Sequence, residues 1–307
     1  MGECCLNSLY LFAKRIVRRA LRLEAGGGSC CQKEKRGDTG PCRPMVFLGN
    51  NRALTKTIFG HKIIVDARDV SLAPHILLDG YWERWITNVF LELIEPGMVV
   101  VDIGANVGYY SLLAAEKVGD RGRVVCFEAN PELADIAFQN LQINGFGQRS
   151  EVVNKAVYSE DTTLSFNLYE NFLGSSSLFV NEDQLQNYRE KVRKIDVIGI
   201  KLDSHFRLGE KVDFIKIDAE GAEPFILRGA VRTLRDNPSL KVMLEFSPEI
   251  IKGAYGSVKD FYREILGLGF AIYKIEHDST LTILTSEAAA NTQHCDVILK
   301  RSAPSGV

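Results

Sequence analysis

From residue 98 onward, short apolar runs alternate with stretches in which apolar positions recur at helical spacing. The apolar runs are rich in β-branched residues, which is typical of strands buried on both faces of a sheet. The predicted strands are residues 99–103, 123–127, 151–157, 212–218, 240–246, 270–275 and 295–299. The predicted helices between them are residues 109–118, 131–144, 222–234 and 258–266. Alternating strands and helices predict an α/β fold with a mostly parallel sheet and helices on both faces.

The last two predicted strands depart from this alternation. Only a loop around residues 278–292 separates them, and we expect no helix there. Two strands joined without a helix pair antiparallel, so this pattern predicts a hairpin at the edge of a seven-stranded sheet.

Two other regions interrupt or precede the sheet. Residues 158–211 are irregular and predict an insertion, whose strand-like pieces are residues 163–169, 178–180 and 196–202. Residues 45–97 predict a hairpin, turned at Gly60, and a helix over residues 80–94 that leads into the sheet. We therefore assign residues 98–303 to one domain that carries the insertion.

The first 44 residues have a different pattern. Within residues 1–24, apolar side chains of residues 6–23 share one helical face and basic side chains share the other, which is typical of a basic amphipathic helix. This helix would suit peripheral contact with an anionic membrane, docking on the protein body or on a partner, or a mitochondrial presequence. Residues 25–44 are rich in Gly, Cys and charge and predict a flexible linker.

Charge and cysteine content narrow the class of protein. Residues 1–49 carry nine Lys and Arg against four Asp and Glu, which leaves 28 against 35 in the remainder. An acidic body argues against nucleic acid as a partner. The seven cysteines form no disulfide pattern in the body, and no apolar stretch is long enough to span a membrane. These features predict a cytoplasmic protein, peripheral to a membrane if residues 6–23 bind one.

The most informative chemical motif is the loop D-I-G-A-N-V-G after the first strand of the sheet. Asp102 lies at the strand end, and Gly104 and Gly108 bracket a turn that a ligand can approach closely. The spacing differs from the G-x-G-x-x-G of dinucleotide sites, which disfavours a nicotinamide-dependent oxidoreductase. A carboxylate here suits a ligand that carries cationic groups and no phosphate, such as S-adenosylmethionine. Glu128, at the tip of the next strand, is expected to bind the ribose hydroxyls.

A second acidic motif, KIDAEGAE, ends the strand at residues 212–218. Asp218 is expected at the same sheet edge as Asp102 and Glu128, with Glu220 beside it and Glu245 at the tip of the following strand. Asp218 is the first choice of general base, and Glu220, Glu245 and His205 are alternates. Glu223 is expected to serve as an acidic first-turn residue of a helix.

In this order, these motifs resemble the FkbM-type methyltransferases. The resemblance spans about residues 60–300 and rests on YWE at 81–83, DIGANVGYYSLLAA at 102–115, FEANPE at 127–132, GSSSL at 174–178, LDS at 202–204, KIDAEGAE at 216–223 and LEF at 244–246. It implies the Rossmann-like class I methyltransferase fold, S-adenosylmethionine as cofactor, and O-methylation of a hydroxyl on a saccharide, a lipid-linked glycan or another small natural product.

The resemblance also implies roles for individual residues. The group that would hold the cofactor is Asp102, Gly104, Asn106, Gly108, Tyr109, Glu128, Asn130, Asn154, Ala156 and Asp218, with Lys155 beside the adenine. Residues 174–178, with Asn171 before them, would cover the pocket or shape the acceptor site. A divalent metal could bridge Asp218, Glu220 and Glu245, but the spacing does not require one, so no metal site is predicted. A cofactor-binding but inactive partner protein is the alternative function.

Overall fold

A computed structural model describes residues 44–179 and 191–301 of the chain. All of these residues belong to one compact unit, Arg43–Val307. The predicted helix within residues 1–24 lies outside the described part, and so does the predicted linker of residues 25–44 except for its last residue. The division of the chain into a helix, a linker and a body therefore stays a prediction. Within the described part, no helix has both the length and the apolar character that crossing a bilayer requires.

The centre of the fold is a sheet of eight strands in the order β13-β12-β14-β11-β10-β4-β5-β6. The strands of the chain are β1 (Val46–Gly49), β2 (Arg52–Lys56), β3 (Lys62–Asp66), β4 (Val99–Ile103), β5 (Arg123–Phe127), β6 (Ser150–Val153), β7 (Ala156–Val157), β8 (Thr162–Tyr169), β9 (Val192–Ile200), β10 (Phe214–Ile217), β11 (Lys241–Phe246), β12 (Ala271–Ile275), β13 (Leu281–Ile283) and β14 (Cys295–Lys300). The α-helices are α1 (Leu72–Leu78), α2 (Arg84–Leu93), α3 (Tyr109–Val118), α4 (Pro131–Ile143), α5 (Leu202–His205), α6 (Glu223–Gly229), α7 (Val231–Asp236), α8 (Pro248–Tyr255), α9 (Val258–Gly267) and α10 (Ser286–Asn291).

The central strands are parallel, as predicted, because each of β4, β5, β6, β10 and β11 is parallel to its neighbours in that set. Their side chains alternate between two layers of core. Val100 and Val124 pack with α2, α3 and α4 on one face. Val101 and Val125 pack with α6 to α9 on the other. Burial on both faces explains why these strands read as unbroken apolar runs.

The edge of the sheet differs from the prediction in two ways. β14 pairs antiparallel with β12, as expected, but it lies between β12 and β11 and pairs with both. The predicted loop contains the short strand β13, which pairs with β12 and makes the sheet eight-stranded rather than seven-stranded, and the helix α10. β13 is only three residues long and partly exposed, so its sequence carries no clear alternation.

Several predicted elements have different boundaries, and three of these differences change the course of the chain. The helix predicted over residues 80–94 begins at Arg84, because Gly80 and Glu83 both have positive φ angles, 76° and 40°. The strand predicted at residues 151–157 divides into β6 and β7, which belong to different sheets. The helix predicted at residues 222–234 divides at Ala230 into α6 and α7.

Two smaller sheets flank the central one. β1, β2 and β3 form an antiparallel sheet that contains the predicted hairpin, with Gly60 in its turn. Asn140 of α4 fastens this sheet to the body, because its side chain bonds to the backbone N–H and C=O of Ile64. The insertion forms the sheet β7-β9-β8, which lies beside the carboxyl ends of the central strands.

Candidate active site

A cavity of about 270 Å³ opens at the carboxyl edge of the central sheet. The tips of β4, β5 and β10 supply Gly104, Glu128 and Asp218 to its wall. Glu245 of β11 joins them because β11 runs parallel to β10. The sequence-predicted convergence of these strand tips is therefore present in the structure.

The loop after β4 contains three residues with left-handed backbone conformations, Gly104, Asn106 and Gly108. Gly104 has a φ of 80°, and a Cβ placed there would lie 1.8 Å from the backbone oxygen of Asp218. Asn106 has a φ of 51° and lines the cavity, and its backbone N–H donates to the Glu128 carboxylate. The loop thus brings the tips of three neighbouring strands into direct contact.

Glu128 connects the loop after β4 to the start of α4. Its two carboxylate oxygens accept hydrogen bonds from the backbone N–H groups of Asn106, at 2.7 Å, and Asn130, at 2.8 Å. Burial raises the pKa of this carboxyl to about 7, although the two N–H bonds oppose the rise. Each oxygen keeps a second lone pair, so the group can still accept hydrogen bonds from a ligand in the cavity.

Asp102 lies behind the cavity wall rather than on it. The residue is 1 % exposed, and its carboxylate accepts a hydrogen bond from the Ser111 hydroxyl of α3 at 2.6 Å. Burial raises the pKa of Asp102, and the nearby Lys216 ammonium opposes that rise. Its second oxygen, Oδ1, has no hydrogen-bond partner among the described residues.

Carboxyl groups crowd the end of the cavity near β10 and β11. Burial raises the pKa of Glu220 to about 8 and that of Glu245 well above its ordinary range, and in both cases Asp218 and neighbouring carboxyls add to the rise. Oε1 of Glu245 lies 3.2 Å from Nδ1 of His294, whereas Oε2 has no hydrogen-bond partner in the described part. These carboxyls cannot all be ionised at neutral pH unless a cation joins them.

Two further acids, Asp296 and Glu83, belong to this group, although no sequence motif indicates a role for either. Asp296 lies opposite Glu245 in the β11–β14 register, and burial raises its pKa to about 7. Glu83 precedes α2 in a left-handed conformation, and burial raises its pKa well above the ordinary value. Because β14 runs antiparallel to β11, its first residues lie at the carboxyl edge of the central sheet. The acidic residue at the start of this strand could therefore have marked Asp296 as a candidate site residue.

Besides Asp102, four residues predicted to lie at the site are outside the cavity lining, and they include the alternate base His205. Gly108 caps α3, and a Cβ there would lie 3.3 Å from Ala137. The side chain of Asn130 caps α4, and the side chain of Asn154 donates to the backbone oxygens of Glu128 and Ala129. His205, an alternate base, packs edge-on against the ring of Phe127. Tyr109, Lys155 and Ala156 do line the cavity.

The insertion supplies a strap across the cavity, residues 173–178. A Cβ on Gly174 would lie 3.1 Å from Nδ2 of Asn106 and 3.3 Å from Oγ of Ser71, so the strap closely contacts both the glycine loop and α1. The backbone of Ser177 pairs with that of Asn167 in β8, which fixes the strap to the insertion sheet. Glu223, by contrast, is turned inward to the N–H of Ala219, as expected for a first-turn residue.

No group of three or more His, Cys, Asp or Glu side chains is arranged to hold a metal ion in residues 44–179 and 191–301.

The profile of the methyltransferase FkbM domain matches residues 102–272, more than half of the chain. The chain belongs to this family. Membership agrees with the predicted methyltransferase class and with S-adenosylmethionine as cofactor, and it does not favour the oxidoreductase or the inactive binding protein. The order and direction of the central strands confirm the predicted Rossmann-like fold.

Individual relatives match over shorter stretches. The methyltransferase sdnD of Sordaria araneosa is 28 % identical over 155 residues, which are 42 % of this chain and 59 % of sdnD. A protein-L-isoaspartate O-methyltransferase of Aeropyrum pernix is 48 % identical over 70 residues, 22 % of this chain and 27 % of that protein. The chain thus spans less than two thirds of the length of these relatives. Among solved structures, an O-methyltransferase of Bacillus cereus in complex with SAH has 19 % identity and a TM-score of 0.39, covering 71 % of this chain and 78 % of that one.

The cavity suits the chemistry of the family cofactor. Its charged lining is mostly carboxyl, with Lys155 and Lys216 as the lysines among the described lining residues. Such a wall disfavours phosphate groups and favours the ammonium and sulfonium groups of S-adenosylmethionine. At the tip of β5, the Glu128 carboxyl keeps lone pairs free for hydrogen bonds from a ligand.

Proposed function

We propose that this protein transfers the methyl group of S-adenosylmethionine to a hydroxyl of a saccharide, a lipid-linked glycan or another small natural product. The observation that carries the proposal is the meeting of Gly104, Glu128 and Asp218 in one cavity under the strap. Relatives named as O-methyltransferases support oxygen as the acceptor atom.

Each end of the cavity has a proposed task. Glu128 would accept the ribose hydroxyls, and Lys155 and Ala156 would border the adenine, because they follow the tip of the neighbouring strand β6. The loop through Gly104 and Asn106 would hold the methionine portion, with Asp102 behind it as a buried negative charge. Bound S-adenosylmethionine supplies a methyl group on a positively charged sulfur.

Asp218 is the proposed general base. Its carboxyl lines the cavity just beyond β10, and Lys216 Nζ binds its Oδ2 at 2.9 Å. The other oxygen remains available to accept the proton of an acceptor hydroxyl. Glu220 and Glu245 are the alternate bases, since both also line the cavity. Holding the acceptor oxygen in line with the methyl group would provide much of the rate.

Calorimetric titration with S-adenosylmethionine tests the cofactor assignment. We expect the wild-type protein to bind it and Glu128→Gln to bind at least roughly tenfold more weakly, because the amide offers one accepting oxygen where the carboxylate offers two. Glu132→Gln is the control, since Glu132 is exposed on α4 and pairs with Arg68. Equal affinity in wild type and Glu128→Gln would contradict the ribose assignment.

A screen of glycan and lipid extracts with labelled methyl donor tests the reaction itself. Asp218→Asn should keep cofactor affinity within about threefold and lower methyl transfer by roughly 10²–10⁴, the usual contribution of a general base. Full activity in Asp218→Asn would exclude Asp218, and the same measurement on Glu220→Gln and Glu245→Gln would then identify the base. Absence of labelled product from wild-type protein that binds the cofactor would contradict hydroxyl methylation of these acceptors.

A further inference from the structure

Lys216 is a buried cation in the acidic end of the cavity. Its side chain is 4 % exposed, and its ammonium lies 2.9 Å from Oδ2 of Asp218. The same ammonium lies 4.4 Å from the ring centre of Tyr110 on α3, which gives it a cation–π contact. These two contacts leave the Lys216 ammonium a narrow range of positions.

The register of the sheet places Lys216 among carboxyls from several elements. It pairs directly with Asp102 across the β10–β4 ladder, so that the two side chains leave the sheet on the same face. Asp218 follows it on its own strand, Glu83 precedes α2, and Asp296 lies on β14. Glu220, Glu245 and His294 complete the charged lining of that end.

The charges of this group depend on one another. Burial alone would lower the pKa of the Lys216 ammonium, but Asp218 and Asp102 outweigh burial and raise that pKa above the ordinary lysine value. In return, the ammonium opposes the raised pKa values of Asp102, Glu83 and Asp296. Lys216 therefore stays charged, and its charge favours ionised carboxyls around it.

We infer that Lys216 is a positioning residue for the proposed methyl transfer: it fixes the Asp218 carboxyl and sets the pH at which the acidic end of the cavity becomes negatively charged. This inference rests on the proposed function, since it gives Lys216 a task at the same site. Ionised carboxyls favour the positive sulfonium of the cofactor over the neutral thioether of its demethylated product, S-adenosylhomocysteine.

The test compares the affinities for these two ligands by calorimetry between pH 5.5 and 9, with the full chain. In the wild type, the preference for S-adenosylmethionine should increase with pH. In Lys216→Met the carboxyls lose the neighbouring positive charge and stay protonated to higher pH. The pH midpoint of the increase should therefore rise by about one pH unit or more. Lys216→Arg, which keeps the charge, should restore the wild-type midpoint.

Lys155→Met is the matched control, because Lys155 is the other lysine in the described lining and follows β6 rather than β10. It should change both affinities to a similar degree and leave the midpoint in place. If Lys216→Met does not fold, the double variant Lys216→Met/Asp102→Asn is measured instead, because it removes one positive and one negative charge. Its pH midpoint should then lie above that of Asp102→Asn.

An unchanged midpoint in folded Lys216→Met, or a preference that does not vary with pH in either protein, overturns the inference and leaves the proposed function standing. A wild-type protein that binds neither ligand overturns the proposed function instead.

Discussion

At the tip of β4, one missing side chain allows two strands to meet. A Cβ on Gly104 would lie 1.8 Å from the backbone oxygen of Asp218, and the residue also has a φ of 80°. We therefore expect Gly104→Ala to lower the free energy of unfolding by about 3 kcal/mol or more, from steric overlap together with backbone strain. Urea unfolding followed by circular dichroism measures this change.

Gly97→Ala separates the cost of backbone strain from the cost of steric overlap. Gly97 has a φ of 84°, close to that of Gly104, but a Cβ there would meet no atom within 4 Å. Its substitution should cost only about 1 kcal/mol, the strain term alone. Equal costs at the two positions would show that the close approach to Asp218 contributes nothing to stability.

Asp102 shows how far single residues can be assigned from the sequence. Its place in an apolar run predicted a strand end, and the structure confirms that position. The last residue of β4 is Ile103, however, so alternation of side chains turns Asp102 toward α3 and Ser111, away from the cavity surface. The bounds of β4 were predicted correctly, but the direction of Asp102 was not, because the residues around it are apolar and the pattern does not show which face of the strand meets a ligand.

At the scale of elements, the strap of residues 173–178 lines the cavity and lies against the glycine loop. A Cβ on Gly174 would press on the side-chain ends of Asn106 and Ser71, at 3.1 and 3.3 Å. Gly174→Val should therefore lift the strap from the glycine loop and weaken S-adenosylmethionine binding roughly three- to tenfold, with little change in thermal stability. Gly253→Ala in α8 is the control, because a Cβ there meets no atom within 4 Å. Unchanged affinity in Gly174→Val would mean that the strap does not touch the bound cofactor.

Elements with strong local signals were predicted with their exact bounds. β4, β5 and α3 are continuous in apolar pattern and are bounded by glycine or acidic residues. The helix α8 was missed although Ser247 and Pro248 mark its start, because its eight residues are too short for a clear period. The insertion sheet could not be predicted, since β8 and β9 pair across more than 20 residues and local periodicity does not report partners.

At the scale of the whole molecule, the buried acids make stability depend on pH. The folded pKa values of Glu128, near 7, Glu220, near 8, and Asp296, near 7, exceed the ordinary values of 4.5 for Glu and 3.8 for Asp. Between about pH 4 and 8 the folded protein therefore binds more protons than the unfolded chain. The free energy of unfolding must then decrease as pH rises through this window.

We expect the melting temperature of the ligand-free protein to fall by roughly 3–10 °C between pH 5.5 and 8, as measured by scanning calorimetry. Because a sulfonium offsets part of the negative charge of the ionised cavity acids, S-adenosylmethionine should raise the melting temperature more at pH 8 than at pH 5.5. The double variant Glu220→Gln/Asp296→Asn should flatten the pH dependence, whereas Glu92→Gln, at an exposed position on α2, should not. A melting temperature that is constant or rises over this range would mean that the acids of the cavity are not buried in the folded protein as the structure places them.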